Sequence, residues 1–266
     1  VFSSCAQQQP QEAKKPNIVF IFADDMGYGD VSALNENSKI KTTNIDRIAN
    51  KGVVFTDAHS SSSVSTPSRY GVLTGRYNWR SDLKSGVLMG YNKALIAPDR
   101  RTIASVLRDQ GYQSACIGKW HLGWDWNNIE AGPDSVDFSK PISNGPTTRG
   151  FDYFYGIIAS LDMAPYVYVE NDMPTALPDR VTVNDGMKYW RKGPTASDFD
   201  HEQTLPNFIN RAVDYIHDKS KEDKPFYLYL PLPAPHTPIL PIKEYQGKSG
   251  LNPYGDFVLM VDDMVG

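Results

Sequence analysis

Two cysteines, Cys5 and Cys116, are all that this chain of 266 residues contains. No disulfide framework can therefore hold it together. It also lacks any apolar run near the roughly 18 residues that a membrane-crossing helix needs. The longest, Ile18 to Ala23, has the length of a strand. Charge of one sign is missing too. Lys and Arg number 27, Asp and Glu 31, and the formal net charge is −4. That balance excludes nucleic-acid binding driven by phosphate neutralisation. No internal repeat is visible. With 40% hydrophobic and 22% charged residues, the composition is not that of a disordered chain. Aromatics are what it has in quantity: 15 Tyr, 11 Phe and 5 Trp. At roughly 100–200 residues per domain, the length fits one large domain or two modest ones, enough to bury a sizeable core.

Residues 1–15 are small, polar and Gln-rich, without periodicity, and read as a flexible tail ahead of a domain over 16–266. Phe2-Ser3-Ser4-Cys5 resembles a bacterial lipoprotein cleavage site whose apolar signal core is missing. Cys5 would then carry the lipid, and the protein would be periplasmic or an outer-membrane lipoprotein of a bacterium. A free thiol in a linker is the plainer alternative. At the other end, Phe257, Met260, Val261, Met264 and Val265 follow helical spacing up to Gly266, and this helix is expected to be where the chain has been cut.

Between these ends strands and helices alternate. Asn17–Ala23 reads as a strand buried on both faces. Thr43 is placed to cap a helix carrying Ile45, Ile48 and Ala49, closed by Gly52. Val53–Phe55 reads as a strand, and Ser68–Thr74 as the start of a helix with Pro67 near its first turn. Thr102 opens a helix with Ile103, Val106 and Leu107 on one face, before a strand over Tyr112–Ile117. From Asn127 to about Thr195, Gly, Pro, Asn and Asp dominate, which predicts a long irregular insertion. Leu205, Phe208, Ile209, Ala212, Val213 and Ile216 mark an amphipathic helix. Phe226–Leu230 is a further strand, followed by a Pro-rich loop. The pattern predicts an α/β fold with a mainly parallel sheet.

Four segments just after strands carry candidate chemistry, where ligands sit in such sheets. Asp24 and Asp25 are adjacent carboxylates at a strand end. A solvated turn is the ordinary reading of such a pair, while a hard divalent cation would relieve their repulsion. Ser65 stands just ahead of an expected helix start, where backbone N–H groups and the helix dipole favour an anion. Arg69, one turn on, would point back toward it. In Lys119-Trp120-His121, alternation in extended backbone would aim Lys119 and His121 at one site while Trp120 packs away. His236 lies in a loop stiffened by Pro235 and Pro238. Alone, each has a structural explanation: a Ser-rich loop, a surface Lys, a core-edge His, a His braced by prolines.

Together they resemble a type I sulfatase of the alkaline phosphatase superfamily. Ser65-Thr-Pro-Ser-Arg69 followed by Leu73-Thr74-Gly75 matches the sulfatase signature. Pro16–Asp25 and Gly118-Lys-Trp-His-Leu-Gly123 match further hallmarks in the family's order, and the resemblance runs from about Pro16 to Gly266. It implies an alkaline phosphatase-like α/β fold and hydrolysis of sulfate esters. The family oxidises the signature Cys or Ser to formylglycine, whose hydrate is the nucleophile, and here that residue is Ser65. Asp24, Asp25 and the modified Ser65 would hold Ca2+. Arg69 would steady the formylglycine hydrate. Lys119 and His236 would bind sulfate, His236 would protonate the leaving oxygen, and His121 would help expel sulfate from the intermediate. The implied partners are a formylglycine-generating maturation enzyme and a sulfated carbohydrate. Trp124, Trp126 and tyrosines of the middle insertion are candidates for lining the substrate side or for packing.

The chemistry is coherent in itself. A sulfate ester repels nucleophiles, and cations around it offset the charge that shifts in the transition state. A sugar is a poor leaving group and needs a general acid. A plain serine would stay sulfated, whereas a geminal diol has a second hydroxyl with which to expel sulfate. Two departures stand out. Position 65 is Ser, which points to oxygen-independent maturation or to an engineered residue. The family's later Asp-Asn metal pair and Lys have no counterpart in these residues, so an incomplete calcium site and an inactive chain are expected. Two other readings remain open at this point: a phosphomonoester or phosphodiester hydrolase using unmodified Ser65, and a non-catalytic binder of sulfated glycans.

Overall fold

The computed structural model describes residues 14–266, so Cys5 and nearly all of the expected tail lie outside the described residues. The strands are β1 (Ile18–Asp24), β2 (Gln113–Lys119), β3 (Tyr153–Ile157), β4 (Val169–Glu170), β5 (Met173–Pro174), β6 (Pro178–Asn184), β7 (Trp190–Ala196) and β8 (Phe226–Pro235). The helices are α1 (Thr43–Lys51), α2 (Ser65–Thr74), α3 (Ile103–Asp109), α4 (Thr204–Lys219) and α5 (Pro253–Val265). One sheet has the order β1-β8-β2-β3-β4-β5 and a hairpin pairs β6 with β7. β1, β8, β2 and β3 are parallel, whereas β4 and β5 add antiparallel. This is the mainly parallel α/β architecture that the alternation predicts.

β8 and β2 are the buried heart of the sheet, with all ten residues of β8 and six of the seven of β2 buried. Helix α4 covers them with Leu205, Phe208, Ile209 and Ala212, on the apolar stripe read from the sequence, although Val213 is exposed. Helix α5 forms where the helical spacing places it and packs Phe257, Met260 and Val261 into the same core.

Several expectations are corrected. β1 is an edge strand, not one buried on both faces: it pairs only with β8 among the described residues, and Val19 and Phe20 are 42% and 38% exposed. Its apolar run satisfies one neighbour and one packed face, and run length alone cannot separate edge from centre. Val53–Phe55 forms no strand and is exposed; among the described residues no neighbour pairs with it. Thr43 is the first helical residue of α1, not its cap. Thr42 precedes the helix without a capping bond of its own, because Asp262 of α5 accepts from the Asn44 and Ile45 N–H groups instead. Thr102 does cap α3, in a reciprocal box with Ser105, but Ile103 and Val106 are exposed and Ala104 is the buried residue. The stretch 127–195 is not an irregular insertion, since it holds β3 to β7. β4 and β5 are only two residues each, β3 is interrupted by Gly156 and β6 begins at a proline, so local pattern does not announce them.

The prolines after Leu230 do not end β8, which runs on to Pro235. Pro231, Pro233 and Pro235 occupy alternate positions, so the missing N–H donors all fall on one side of the strand. The ladder from β2 to β8 stops at Cys116 and Tyr229. Beyond it the carboxyl ends of the two strands are free to take other partners, and there the candidate residues gather.

Candidate active site

Arg69 joins the two strand ends. From the second turn of α2 its Nη1 donates to the Lys119 carbonyl (2.8 Å) and its Nη2 to the Leu232 carbonyl (3.4 Å). Its side chain is 1% exposed. The same guanidinium donates from Nε to Ser65 Oγ at 2.8 Å. Ser65 is the first residue of α2, which begins three residues before the Ser68 start that the sequence implies. Its own N–H and that of Thr66 belong to the helix-end donors that have no intrahelical acceptor, and Pro67 contributes none. Ser65 thus lies at a helix end polarised for an anion.

His121 approaches Ser65 from the other side, Nδ1 to Oγ at 2.9 Å. Its Nε2 lies 2.8 Å from the Leu88 carbonyl. A carbonyl only accepts, so Nε2 carries the ring proton and Nδ1 is the acceptor for the Ser65 hydroxyl. Burial, reinforced by the Lys119 and Arg69 charges, pushes His121 well below the usual histidine range. The ring is therefore a neutral base. Leu88 is itself fixed to α2, its N–H donating to Thr66 Oγ1 at 3.1 Å. Lys119 and His121 do share one site while Trp120 packs away, its ring edge-on to Phe151. The means is not simple alternation. Gly118 has φ +136° and His121 φ +55°, so the chain bends out of β2. A Cβ at Gly118 would lie 2.2 Å from the Pro231 carbonyl oxygen, which leaves glycine alone there.

Asp24, at the end of β1, receives both cations: Lys119 Nζ at 2.5 Å and Arg69 Nη2 at 3.3 Å from Oδ2. Burial pushes its carboxyl up, but the Lys119, Arg69 and His236 charges outweigh that and hold it well below the usual carboxylate range. Lys119 is fully buried, and that burial pulls its ammonium down against the pull of Asp24. Charge on both partners is the direction that fits so short a contact. Asp25 differs from its neighbour. Its φ is +63° and its side chain is 61% exposed, with Oδ2 3.7 Å from His236 Nε2. His236 Nδ1 faces the Thr237 carbonyl and lies 3.1 Å from Ser160 Oγ, leaving Nε2 directed to the site.

Direct contacts thus join Asp24, Lys119, Arg69, Ser65 and His121, while Asp25 and His236 face each other beside them, tied to the first set through the Asp24–Asp25 peptide bond. The structure adds Ser160, three residues past the end of β3. The rule that ligands sit at strand ends would have found it, had β3 been recognised. Trp124 and Trp126 are buried and pack edge-on to each other, so they belong to the core and not to the substrate side. Among the described residues no cluster of three acidic, His or Cys side chains exists to hold a metal. Asp24 and Asp25 offer hard oxygen donors at one strand end, right in kind for Ca2+ but fewer than the 6–8 oxygens it takes.

Two buried cations facing one buried carboxylate leave a positive excess around a serine hydroxyl and a neutral imidazole. Comparison with known proteins agrees with this anion-directed site. The sulfatase family model matches residues 16–266. An N-acetylgalactosamine-6-O-sulfatase of Bacteroides thetaiotaomicron is 36% identical across 96% of this chain and 55% of its own length. Human arylsulfatase A is 33% identical across 96% of this chain and 48% of its own. A solved B. thetaiotaomicron structure, described as a 6S-sulf within work on the metabolism of multiple glycosaminoglycans, superposes with a TM-score of 0.83 at 33% identity. It covers 96% of this chain and 58% of that one. The chain spans about half the length of these relatives. With its signature residues assembled into one buried, positively charged site, the chain belongs to the sulfatase family.

Proposed function

We propose that this chain carries the centre of a sulfatase that hydrolyses sulfate esters of carbohydrate. The observation that carries the reading is Ser65, held at a helix N-terminus between Arg69 Nε and His121 Nδ1, with Lys119 and Arg69 supplying buried positive charge. The carbohydrate assignment is supported by the B. thetaiotaomicron relative, named for sulfated N-acetylgalactosamine.

Each residue has a part that follows from its position. Arg69 and Lys119 offset the charge of the sulfuryl oxygens as it shifts in the transition state. His121 accepts a proton from the hydroxyl at position 65. His236, with Nδ1 turned to Thr237 and Ser160, donates from Nε2 when doubly protonated, as a poor leaving alcohol requires. Oxidation of Ser65 to formylglycine would supply, as its hydrate, one hydroxyl to attack sulfur and a second to release sulfate. Asp24 and Asp25, with the oxygen at position 65, would hold part of a Ca2+ shell, which lends further positive charge to the ester oxygens. A lipid on Cys5 would tether the protein to a bacterial envelope.

A second reading is favoured by one contact. An unmodified Ser65 hydroxyl 2.9 Å from a neutral imidazole is arranged as the nucleophile of a phosphohydrolase. The mass of the tryptic peptide Gly52–Arg69 from native-host protein separates the two. Loss of two hydrogens at Ser65 is expected, and unmodified serine there would replace the sulfatase mechanism with the second reading.

A further inference from the structure

Arg191 stands in β7, far in sequence from every residue of the site. It is nevertheless fastened to the turn that follows Ser160. That turn is closed by Met163 N–H donating to the Ser160 carbonyl at 2.9 Å. The Arg191 N–H donates to the Asp162 carbonyl at 3.1 Å. Its Nη1 donates to the same carbonyl, also at 3.1 Å, and pairs with Asp162 Oδ2. The Arg191 carbonyl accepts from Tyr166 Oη at 2.6 Å, and the guanidinium lies over the Tyr189 ring, 5.5 Å from its centre. Asp162 is buried, and its charge reaches Lys119. Ser160, two residues earlier, touches His236. Two residues span at most about 7 Å of chain, so Arg191 is anchored to the same short turn that carries the partner of His236.

Five contacts fix this arginine, yet their hydrogen bonds use only one of its three guanidinium nitrogens. Among the described residues Nε and Nη2 meet no acceptor, and the side chain is 43% exposed. An arginine serving only to clamp the hairpin to the sheet would offer its carboxylate the two-pronged edge, which is the stronger geometry. Here that edge is kept free while the third nitrogen holds the arginine in place. The Nε–Nη2 edge is the one that matches a carboxylate or sulfate in a bidentate pair.

We propose that Arg191 is a specificity-determining residue that reads a second anionic group of the substrate, on the sugar bearing the scissile sulfate or on its neighbour. The class is an acidic glycan, with a uronate carboxylate or a further sulfate as the group recognised. Asp162 and Tyr189 position the guanidinium and do not touch the ligand. This inference rests on the sulfatase reading of the site.

Calorimetric titration of the purified protein, which needs no turnover, tests it with two probes. One is 6-O-sulfated N-acetylgalactosamine. The other is the same sulfated sugar linked to a hexuronic acid. Wild-type protein is expected to bind the disaccharide about tenfold more tightly, equal to about 1.4 kcal/mol. Arg191→Gln should abolish that preference without changing monosaccharide affinity, although loss of the Asp162 pair lowers the thermal midpoint, and Arg191→Lys should restore only part of the preference. Equal weakening of both probes by Arg191→Gln would make the residue a structural clamp and overturn the proposal. So would equal wild-type affinity for the two probes. If folded wild-type protein binds neither sulfated sugar, the function proposed above fails, and this inference with it. A disaccharide preference that survives Arg191→Gln overturns the inference alone.

Discussion

Asp24 and Asp25 are chemically identical neighbours, and the structure gives them opposite surroundings. Asp24 is buried between Lys119 and Arg69, whereas Asp25 turns outward through a left-handed backbone. Removing one partner of a buried ionic cluster strands the others without water, which costs roughly 3–5 kcal/mol. Asp24→Ala is therefore expected to lower the unfolding free energy by about that much in urea titrations. Asp25→Ala, at an exposed position, should stay within about 0.5 kcal/mol. Similar losses for the two variants would mean that the Asp24–Lys119–Arg69 cluster does not hold the strand ends together. Burial, reinforced by the Lys119 and Arg69 charges of the same cluster, keeps His121 neutral, so one buried arrangement serves both stability and the protonation state that the site needs.

At the scale of elements, the hairpin β6–β7 meets the start of α4 through His201. Its ring stacks on Trp190 (centroids 3.9 Å apart), packs edge-on to Tyr166 and Phe199, and its Nε2 has no hydrogen-bond partner among the described residues. Burial, with help from Arg180, pushes His201 down to about 3. The unfolded chain takes up a proton near the ordinary value of about 6.5, and the folded chain does not until far lower. The contribution of neutral His201 is thus complete above about pH 6.5 and is lost as pH falls toward about 3, at about 1.4 kcal/mol per pH unit. Wild-type stability should fall more steeply than that of His201→Phe between about pH 6 and about pH 4. Denaturant midpoints measured across that range check this, and parallel curves for the two proteins would show that the ring is not the titrating group. This hairpin also carries Arg191, so its docking through His201 bears on the site.

At the scale of the whole molecule, the sheet ends in an apolar edge. Among the described residues β1 has no second neighbour, and Val19, Phe20, Val53, Val54 and Phe55 are exposed. An open, apolar edge strand is a template for pairing with another chain. The described chain is expected to self-associate as concentration rises, and Phe20→Lys should shift sedimentation velocity profiles toward monomer. Unchanged profiles would show that this edge is not the sticky surface.

Local pattern was enough for the fold class, for α4 and α5, and for the capping of α3 by Thr102. Those features depend on residues near one another in the chain. The Ser65–Arg69 pair was legible because four residues on a helix bring two side chains to one face, and Lys119 and His121 because they flank a strand end. What only tertiary structure decided has a common cause, which is contact between distant segments. β1 became an edge, Thr43 lost its capping role to Asp262, and β3 is fixed as a strand only by its ladders with β2 and β4. Ser160 and Arg191 were invisible for the same reason. Neither stands in a motif, and each acquires chemical meaning only where the chain after β3 folds back, Ser160 against His236 and Arg191 against Asp162.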